Sequence, residues 1–167
     1  MREIYRILDA NFNRAREALR VIEDCGRFVL NDPAVTGMAK HFRSDLKEML
    51  DVLPHEEFIA SRDTPGDLGR EISSPTEVTR ENLMDVATAA CKRLTEPLRT
   101  VDEYTKIIAP QQAVELERMR YDAYTLEQRL HSRFGVSERF AGAKLYLLLS
   151  SYLCKSGSVR EVARAAI

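Results

Sequence analysis

The stretch NRAREALRVIED, residues 13–24, recurs in altered form as KRLTEPLRTVDE, residues 92–103. The copies lie 79 positions apart, so Arg14 corresponds to Arg93 and Leu19 to Leu98. Apolar residues recur at spacings of three and four in both copies, which is the pattern of a helix with one apolar face. The repeat therefore predicts two related helices in one small chain.

The partner helices are repeated as well, at an offset of 77 residues that places Phe42 on Met119 and Arg43 on Arg120. A helical hairpin thus occurs twice. Two hairpins that each hide one apolar face predict an all-α fold, a four-helix bundle with approximate two-fold symmetry. We expect four apolar side chains of the repeat to be buried in it, namely Leu19, Phe42, Leu98 and Met119.

The first connections are marked by turn and cap residues. Asp32 and Pro33 are suited to the cap and first turn of the second helix. Residues 58–75 lose all periodicity and predict a structured surface loop, with a β-turn centred on Pro65 and Gly66.

The third helix is predicted to begin after Ser74 and to run to about Ile108. The fourth is predicted from about Pro110 to Phe134, with Gly135 as its stop signal.

The chain changes character towards its end. The segment KLYLLLSSYLCKSGSVREVARAAI, residues 144–167, predicts a buried apolar strand, a Gly/Ser loop and the start of a helix. We therefore predict a helical domain over residues 1–138 and a second segment over residues 139–167. A lone strand leaves its backbone unpaired, so it should pair with another element or chain.

Composition narrows the classes of partner. The 167 residues carry a formal net charge of −1, so no overall field attracts nucleic acid or an anionic membrane. The three cysteines, Cys25, Cys91 and Cys154, form no Cys-x-x-Cys motif and favour core positions in a reducing compartment. The charged start is unlike a signal peptide, and the apolar run near the end is too short to cross a bilayer. We expect a cytoplasmic protein.

Four stretches together resemble a small all-helical bacterial family: ILDANFNRAREALRVIEDCGRFVL (7–30), RDTPGDLG (62–69), KRLTEPLRTVDEYTK (92–106) and MRYDAYTLEQRL (119–130). Its members are monofunctional hydroxymethylpyrimidine-phosphate kinases of thiamine synthesis, and they often precede a thiamine-phosphate synthase barrel in one chain. The tail from Lys144 looks like the first strand and helix of that (β/α)8 barrel. The family's second copy often has asparagine where this chain has Ala90, so Asn11 has no counterpart here.

The resemblance implies a phosphotransferase that moves the γ-phosphoryl group of ATP onto 4-amino-5-hydroxymethyl-2-methylpyrimidine phosphate. The acceptor is already an oxyanion at neutral pH, so a general base is dispensable. The difficulty is to bring two polyanions together, which requires cationic clamps and Mg²⁺. ATP and Mg²⁺ are therefore the expected co-substrate and metal.

Arg14 and Arg93 are the candidate catalytic clamp, because a guanidinium fork binds two phosphate oxygens and both lie beside the apolar stripe. The alternative is that they form helix salt bridges with Glu17 and Glu96, three residues further on.

Three further residues are candidates for substrate binding. Arg43 and Arg120 occupy corresponding places near the core stripes of the partner helices. Asn11 is a short amide on the core stripe of the first helix, and it either contacts a ligand or is a buried structural amide.

The loop supplies the remaining candidates. Arg62 and the backbone N–H groups around Gly66 and Gly69 are candidates for binding nucleotide phosphate, although no Walker motif is present. Asp63 and Asp67 are candidate metal ligands, with turn and cap roles as the alternative. Glu17 and Glu96 are the alternative candidate ligands for the metal.

Two other functions are compatible with the sequence. Helical nucleotide pyrophosphohydrolases bind Mg²⁺ through paired acidic motifs, which Glu23-Asp24 and Asp102-Glu103 superficially match, although we expect these pairs on a solvated face. The second alternative is a non-catalytic regulatory or dimerising module of a synthase barrel. A homodimer is left open as a partner.

Overall fold

The computed structural model describes residues 1–69, 79–142, 149–153 and 158–165, with only the backbone for residues 137–141 and 153. Regular structure in these ranges is helical and includes no strand, which confirms the predicted all-α class for them. The strand predicted from Lys144 lies outside the described residues up to position 148. Two compact units are present, Met1–Gly135 and Val136–Ile167, and the core and cavities described below lie in the first.

The first helix, α1, spans Arg2–Asp24 and continues as a π-helical turn over Cys25–Val29. The remaining elements follow in chain order: α2 (Pro33–Asp51), α3 (His55–Ala60), α4 (Leu83–Ile108), α5 (Pro110–Ala141), a 3₁₀ turn (Ser151–Leu153) and α6 (Val159–Ala165). No helix in the described ranges combines the length and the apolar character needed to cross a membrane.

The packing of α1 against α4 forms the centre of the first unit. Their apolar stripes join those of α2 and α5 in one core, which contains the four side chains expected there, Leu19, Phe42, Leu98 and Met119. The four-helix bundle with two-fold symmetry is consistent with this core and stays a prediction. Cys25 and Cys91 are buried core residues as expected, and burial raises the pKa of the Cys91 thiol to about 12.

The connection between α1 and α2 confirms the predicted cap. The Asp32 carboxylate accepts hydrogen bonds from the N–H groups of Ala34 and Val35 at 2.8 and 3.0 Å. The guanidinium of Arg133 on α5 lies 2.6 Å from the same carboxylate. One side chain therefore caps α2 and connects it to α5.

The loop region differs from the prediction at its start. Residues 55–60 form α3, where an irregular segment was predicted from residue 58 onwards. Phe58 is completely buried and stacks near Phe12 and Tyr5 of α1, so tertiary packing stabilises a helix too short to show periodicity. The predicted turn at Pro65 and Gly66 is present, closed by a bond from the Asp67 N–H to the Thr64 carbonyl.

Two predicted helix ends are wrong. The helix that ends at Ile108 begins at Leu83 rather than after Ser74, because the Asn82 side chain caps it by accepting from the Asp85 N–H at 2.9 Å. Residues 70–78 lie outside the described part of the chain. The helix α5 continues through Gly135 to residue 141. A glycine inside a helix costs only about 1 kcal/mol relative to alanine, which neighbouring turns can offset.

Replacement of Asp32 tests the α1–α2 connection. We expect Asp32→Ala to lower the free energy of unfolding by about 1 kcal/mol, a typical effect of losing an N-cap. Asp32→Asn keeps the cap and should lose less. Urea unfolding monitored by circular dichroism measures both changes, and equal losses would contradict the cap as the main contribution.

The pH dependence of the same carboxylate has a defined sign. Hydrogen bonds from the Val35 and Ala34 N–H groups, with the nearby Arg133 charge, lower the pKa of Asp32 in the folded protein. Its charge therefore stabilises the fold above the unfolded-state pKa of about 3.9, and this contribution is lost as pH falls through the lower folded value. The stability advantage of wild type over Asp32→Asn should shrink below that pH. An advantage that grows there would contradict this assignment.

Candidate functional site

A cavity of about 800 Å³ lies between α1 and α4. The candidate clamp residues Arg14 and Arg93 both line it, and so do Glu17 and Glu96. Most of the other residues on the two helix walls are aliphatic, including Pro97, while Asn11 and Thr100 are polar. The cavity therefore combines cationic groups with an apolar surface, a composition suited to a flat ring that carries an anion.

The walls of this cavity are built from the repeat. Five pairs of lining residues are separated by the same offset of 79 positions, namely Asn11/Ala90, Arg14/Arg93, Glu17/Glu96, Ala18/Pro97 and Val21/Thr100. The doubled helix thus places two arginines and two glutamates at one cavity. The walls differ most in polarity at the Asn11/Ala90 and Val21/Thr100 pairs.

Arg14 and Arg93 are exposed and form no ion pair or hydrogen bond with any described residue. The alternative prediction, salt bridges to Glu17 and Glu96, is not what the described residues adopt. Because no described residue pairs with them, both guanidinium groups are available to an anionic ligand. Surface ion pairs would in any case contribute little to stability at such exposed positions.

Asn11 is 8% exposed and lines this cavity. Its amide nitrogen donates to the Ile7 carbonyl at 2.8 Å, one turn earlier on the same helix. Its amide oxygen makes no hydrogen bond with a described residue. The side chain is therefore held in place by one structural bond and keeps an acceptor for a ligand.

A second cavity of about 610 Å³ adjoins the first and shares Asn11 and Arg14 with it. The loop contributes Arg62, Asp63 and Asp67 to its lining. These loop residues and the α1 residues were predicted to belong to one site, and the structure brings them together.

Arg62 is fixed by an ion pair to α1. Its Nε and Nη2 atoms donate to the two carboxylate oxygens of Asp9 at 2.6 and 2.7 Å. Arg6 also contacts the loop, through a 3.4 Å bond to the Asp63 carbonyl. These contacts attach the loop to the helix that carries Arg14.

The two loop aspartates have turn roles in this structure. Asp63 accepts from the Gly66 N–H at 3.1 Å, and Asp67 accepts from the Gly69 N–H at 2.9 Å. A Cβ at Gly66 would lie 2.6 Å from Asp63 Oδ2, so a larger residue here would displace the Asp63 carboxylate. These two N–H groups are therefore engaged within the loop, and each carboxylate retains a second oxygen.

The donor set at the second cavity fits a magnesium ion that arrives with phosphate. No group of three or more His, Cys, Asp or Glu side chains capable of holding a metal occurs among the described residues. Mg²⁺ usually binds one or two carboxylates together with substrate phosphates and water. Asp63 and Asp67 provide such carboxylates at one cavity.

Arg43 and Arg120 line neither of these two cavities. Arg43 lies 2.5 Å from Glu23, which is 1% exposed, and Arg20 and Arg27 lie 3.6 and 4.0 Å from the same carboxylate. This arrangement explains Arg43 as the partner of a buried acid, because a buried charge is costly without one.

The second copy repeats this arrangement around Asp102, which is also 1% exposed, with Lys106 and Arg99 at 3.4 and 3.9 Å. Arg120 lies under the ring of Tyr121 and pairs with Glu117. The expectation that the acidic pairs lie on a solvated face is therefore wrong for Glu23 and Asp102. The corresponding acids of the repeat serve the fold rather than the cavities.

Sequence reasoning missed Arg6 and Asp9 in the second cavity and Arg80 in the first. No local signal marks them. Asp9 acquires its role through Arg62, 53 positions away, and Arg80 stands outside the periodic part of α4.

Stability measurements separate the two kinds of arginine. We expect Arg43→Met to lower the free energy of unfolding by about 1–3 kcal/mol, since it removes the closest cation from a buried carboxylate while two others remain. Arg14→Met and Arg93→Met should stay within about 0.5 kcal/mol of wild type. Denaturant unfolding of the three variants checks this, and equal losses in all three would show that the cavity arginines also support the fold.

Comparison with known proteins finds similarity over most of the chain. Residues 6–129 match the ThiD2 family. The relatives include proteins named thiamine-phosphate synthase from Nostoc punctiforme, 41% identical over 88% of this chain and 40% of the relative, and from Rhodopirellula baltica, 37% identical over 89% and 41%. A third, from Thermosynechococcus vestitus, is 38% identical over 97% of this chain and 44% of the relative.

The chain spans about two-fifths of the length of these curated relatives. No solved structure matches it. The family match covers well over half of the chain, including α1, α2, α4 and both copies of the repeat. The chain belongs to the ThiD2 family.

Proposed function

We propose that this chain phosphorylates 4-amino-5-hydroxymethyl-2-methylpyrimidine phosphate to the diphosphate with ATP, as a phosphotransferase of thiamine diphosphate synthesis. The observation that carries the proposal is the pair Arg14 and Arg93, which have no ion-pair partner among the described residues and line one partly apolar cavity. The names of the relatives support the same biosynthetic context.

In this proposal the pyrimidine ring lies against the aliphatic walls near Val86 and Pro97, and its phosphate is held by Arg14 and Arg93. An oxygen of that phosphate attacks the γ-phosphorus of ATP. A new P–O bond forms as the bond from the γ-phosphorus to the β,γ-bridging oxygen breaks, and ADP leaves with the electron pair. The acceptor oxygen is already ionised, so no side chain has to remove a proton.

Asp63 and Asp67 are the residues that would hold Mg²⁺, with Glu17 and Glu96 as the alternative carboxylates of the first cavity. When bound with phosphate, the ion neutralises charge that would otherwise keep the two polyanions apart. The chain itself contributes orientation: Asp9 fixes Arg62, and α1 and α4 fix the spacing of the clamp.

We further propose that the chain forms the N-terminal part of a longer protein in which a synthase barrel follows. Two observations support this proposal. The chain spans only about two-fifths of the length of its relatives, and residues 144–167 resemble the start of such a barrel. The covalently linked barrel would be its principal partner, and a cytoplasmic location suits the pathway.

The two alternative functions find less support. A non-catalytic module would have arginines paired on the surface and a cavity filled by aliphatic groups, whereas Arg14 and Arg93 pair with no described residue and line an open cavity. A pyrophosphohydrolase would need accessible acidic pairs, whereas Glu23 and Asp102 are buried among cations.

Turnover of the clamp variants tests the proposal. With ATP, Mg²⁺ and the pyrimidine monophosphate, Arg14→Met and Arg93→Met should each lose at least roughly tenfold in kcat/KM, since a charge-assisted bond to phosphate contributes about 1.5–3 kcal/mol. Chromatographic quantification of the pyrimidine diphosphate measures the loss. The matched control is Arg16→Met, an exposed arginine of α1 that lines neither cavity. Near-normal kinetics in both clamp variants would refute the site.

The free alcohol should be a very poor acceptor. It lacks the anion that fills the clamp, and its hydroxyl must lose a proton although no histidine is among the described residues that line the cavity. Losing two charge-assisted bonds would reduce kcat/KM by roughly a hundredfold or more. Parallel assays with the alcohol and the monophosphate measure the ratio, and comparable rates would show that the clamp does not recognise the phosphate.

A further inference from the structure

Arg14 and Arg93 differ in the cavities that they line. Arg14 lines both cavities, whereas Arg93 lines only the first. Arg6 and Arg62 line only the second. Ligands that occupy both cavities could therefore both contact Arg14. Only the ligand in the first cavity could contact Arg93.

The cavities also differ in charge. Among the described residues, three arginines and two glutamates line the first, which gives a positive formal balance: Arg14, Arg80, Arg93, Glu17 and Glu96. In the same described ranges, three arginines and four carboxylates line the second, which gives a negative balance: Arg6, Arg14, Arg62, Glu3, Asp9, Asp63 and Asp67. A bare phosphate is favoured in the first cavity. The second suits a polyphosphate only when a divalent cation accompanies it.

We propose that the second cavity receives the phosphate tail of a nucleoside triphosphate as its magnesium complex, while the first receives the acceptor monophosphate. This rests on the proposed function. Arg14 then contacts both reacting phosphates at the junction, where the γ-phosphorus leaves the ADP oxygen and bonds to the acceptor oxygen. Arg93 contacts the acceptor alone.

The geometry of Arg62 fits this role. Asp9 holds the Nε and Nη2 atoms, so Nη1 is left to donate to a phosphate oxygen. Asp9 is 8% exposed and also accepts from the Asn13 amide at 3.2 Å, which restricts its own rotation. Asp9 is therefore a positioning residue for Arg62. It holds the guanidinium in one orientation towards the bound nucleoside triphosphate.

Binding measurements test the assignment without turnover. Isothermal titration calorimetry of the full chain uses inorganic tripolyphosphate, with and without Mg²⁺, and separately the pyrimidine monophosphate. Wild type should bind tripolyphosphate at least about tenfold more tightly with Mg²⁺ than without it. Arg62→Met should weaken only magnesium tripolyphosphate, Arg93→Met only the monophosphate, and Arg14→Met both, each by about tenfold or more.

Two further variants keep the result interpretable. Arg62→Met leaves Asp9 without its ion-pair partner, so Arg6→Met, which removes only a bond to a backbone carbonyl, provides a second probe of the same cavity. It should also weaken magnesium tripolyphosphate alone. Arg16→Met serves as the control, with unchanged affinity for both ligands.

The inference is overturned if tripolyphosphate binds equally well without Mg²⁺, or if Arg93→Met weakens it while Arg62→Met and Arg6→Met do not. Failure of the proposed function is a different result. A chain that binds magnesium tripolyphosphate through Arg62 yet transfers no phosphoryl group retains this site and loses the kinase assignment. A chain that transfers the group normally with Arg62 and Arg6 replaced retains the function and loses this site.

Discussion

The packing of α1 against α4 is the constraint on which the rest of the structure depends. Their apolar stripes meet in the core through residues such as Leu19 and Leu98, and the same contact sets the distance between the polar flanks. Because the two helices carry the same motif, the flank of one presents Arg14 and the flank of the other Arg93 to a common cavity. The centre of the core and the first cavity therefore both depend on this helix pair.

The charged residues of the repeat fall into two groups, buried acids with cationic partners and exposed arginines at a cavity. Glu23 and Asp102 are buried and surrounded by cations, so they and Arg43 belong to the framework. Arg14 and Arg93 have no such partners in the described part of the chain and line an open cavity. A buried acidic partner therefore distinguishes Arg43 from the candidate ligand-binding residues Arg14 and Arg93.

Much of this could be predicted from local pattern. The apolar period identified the helices and their buried residues, and the Asp32 cap and the Pro65-Gly66 turn follow from short-range chemistry. The pairing of Arg14 with Arg93 followed from the symmetry of the repeat, and Asn11 was a candidate because of its place on the core stripe. The structure places all three at one cavity.

What escaped prediction depends on contacts distant in sequence. The helix α3 exists because Phe58 is buried against α1, and its own six residues show no period. Asp9 has a role only because Arg62 reaches it across 53 positions. The burial of Glu23 similarly depends on Arg43, which comes from the next helix.

The most direct test of the central claim is phosphorus NMR of the purified chain with ATP, Mg²⁺ and the pyrimidine monophosphate. The account predicts that the monophosphate signal disappears in step with the γ-phosphate of ATP, while signals of ADP and of a pyrimidine diphosphate appear together. Conversion of ATP to ADP and inorganic phosphate with the monophosphate unchanged, or no reaction at all, would contradict it.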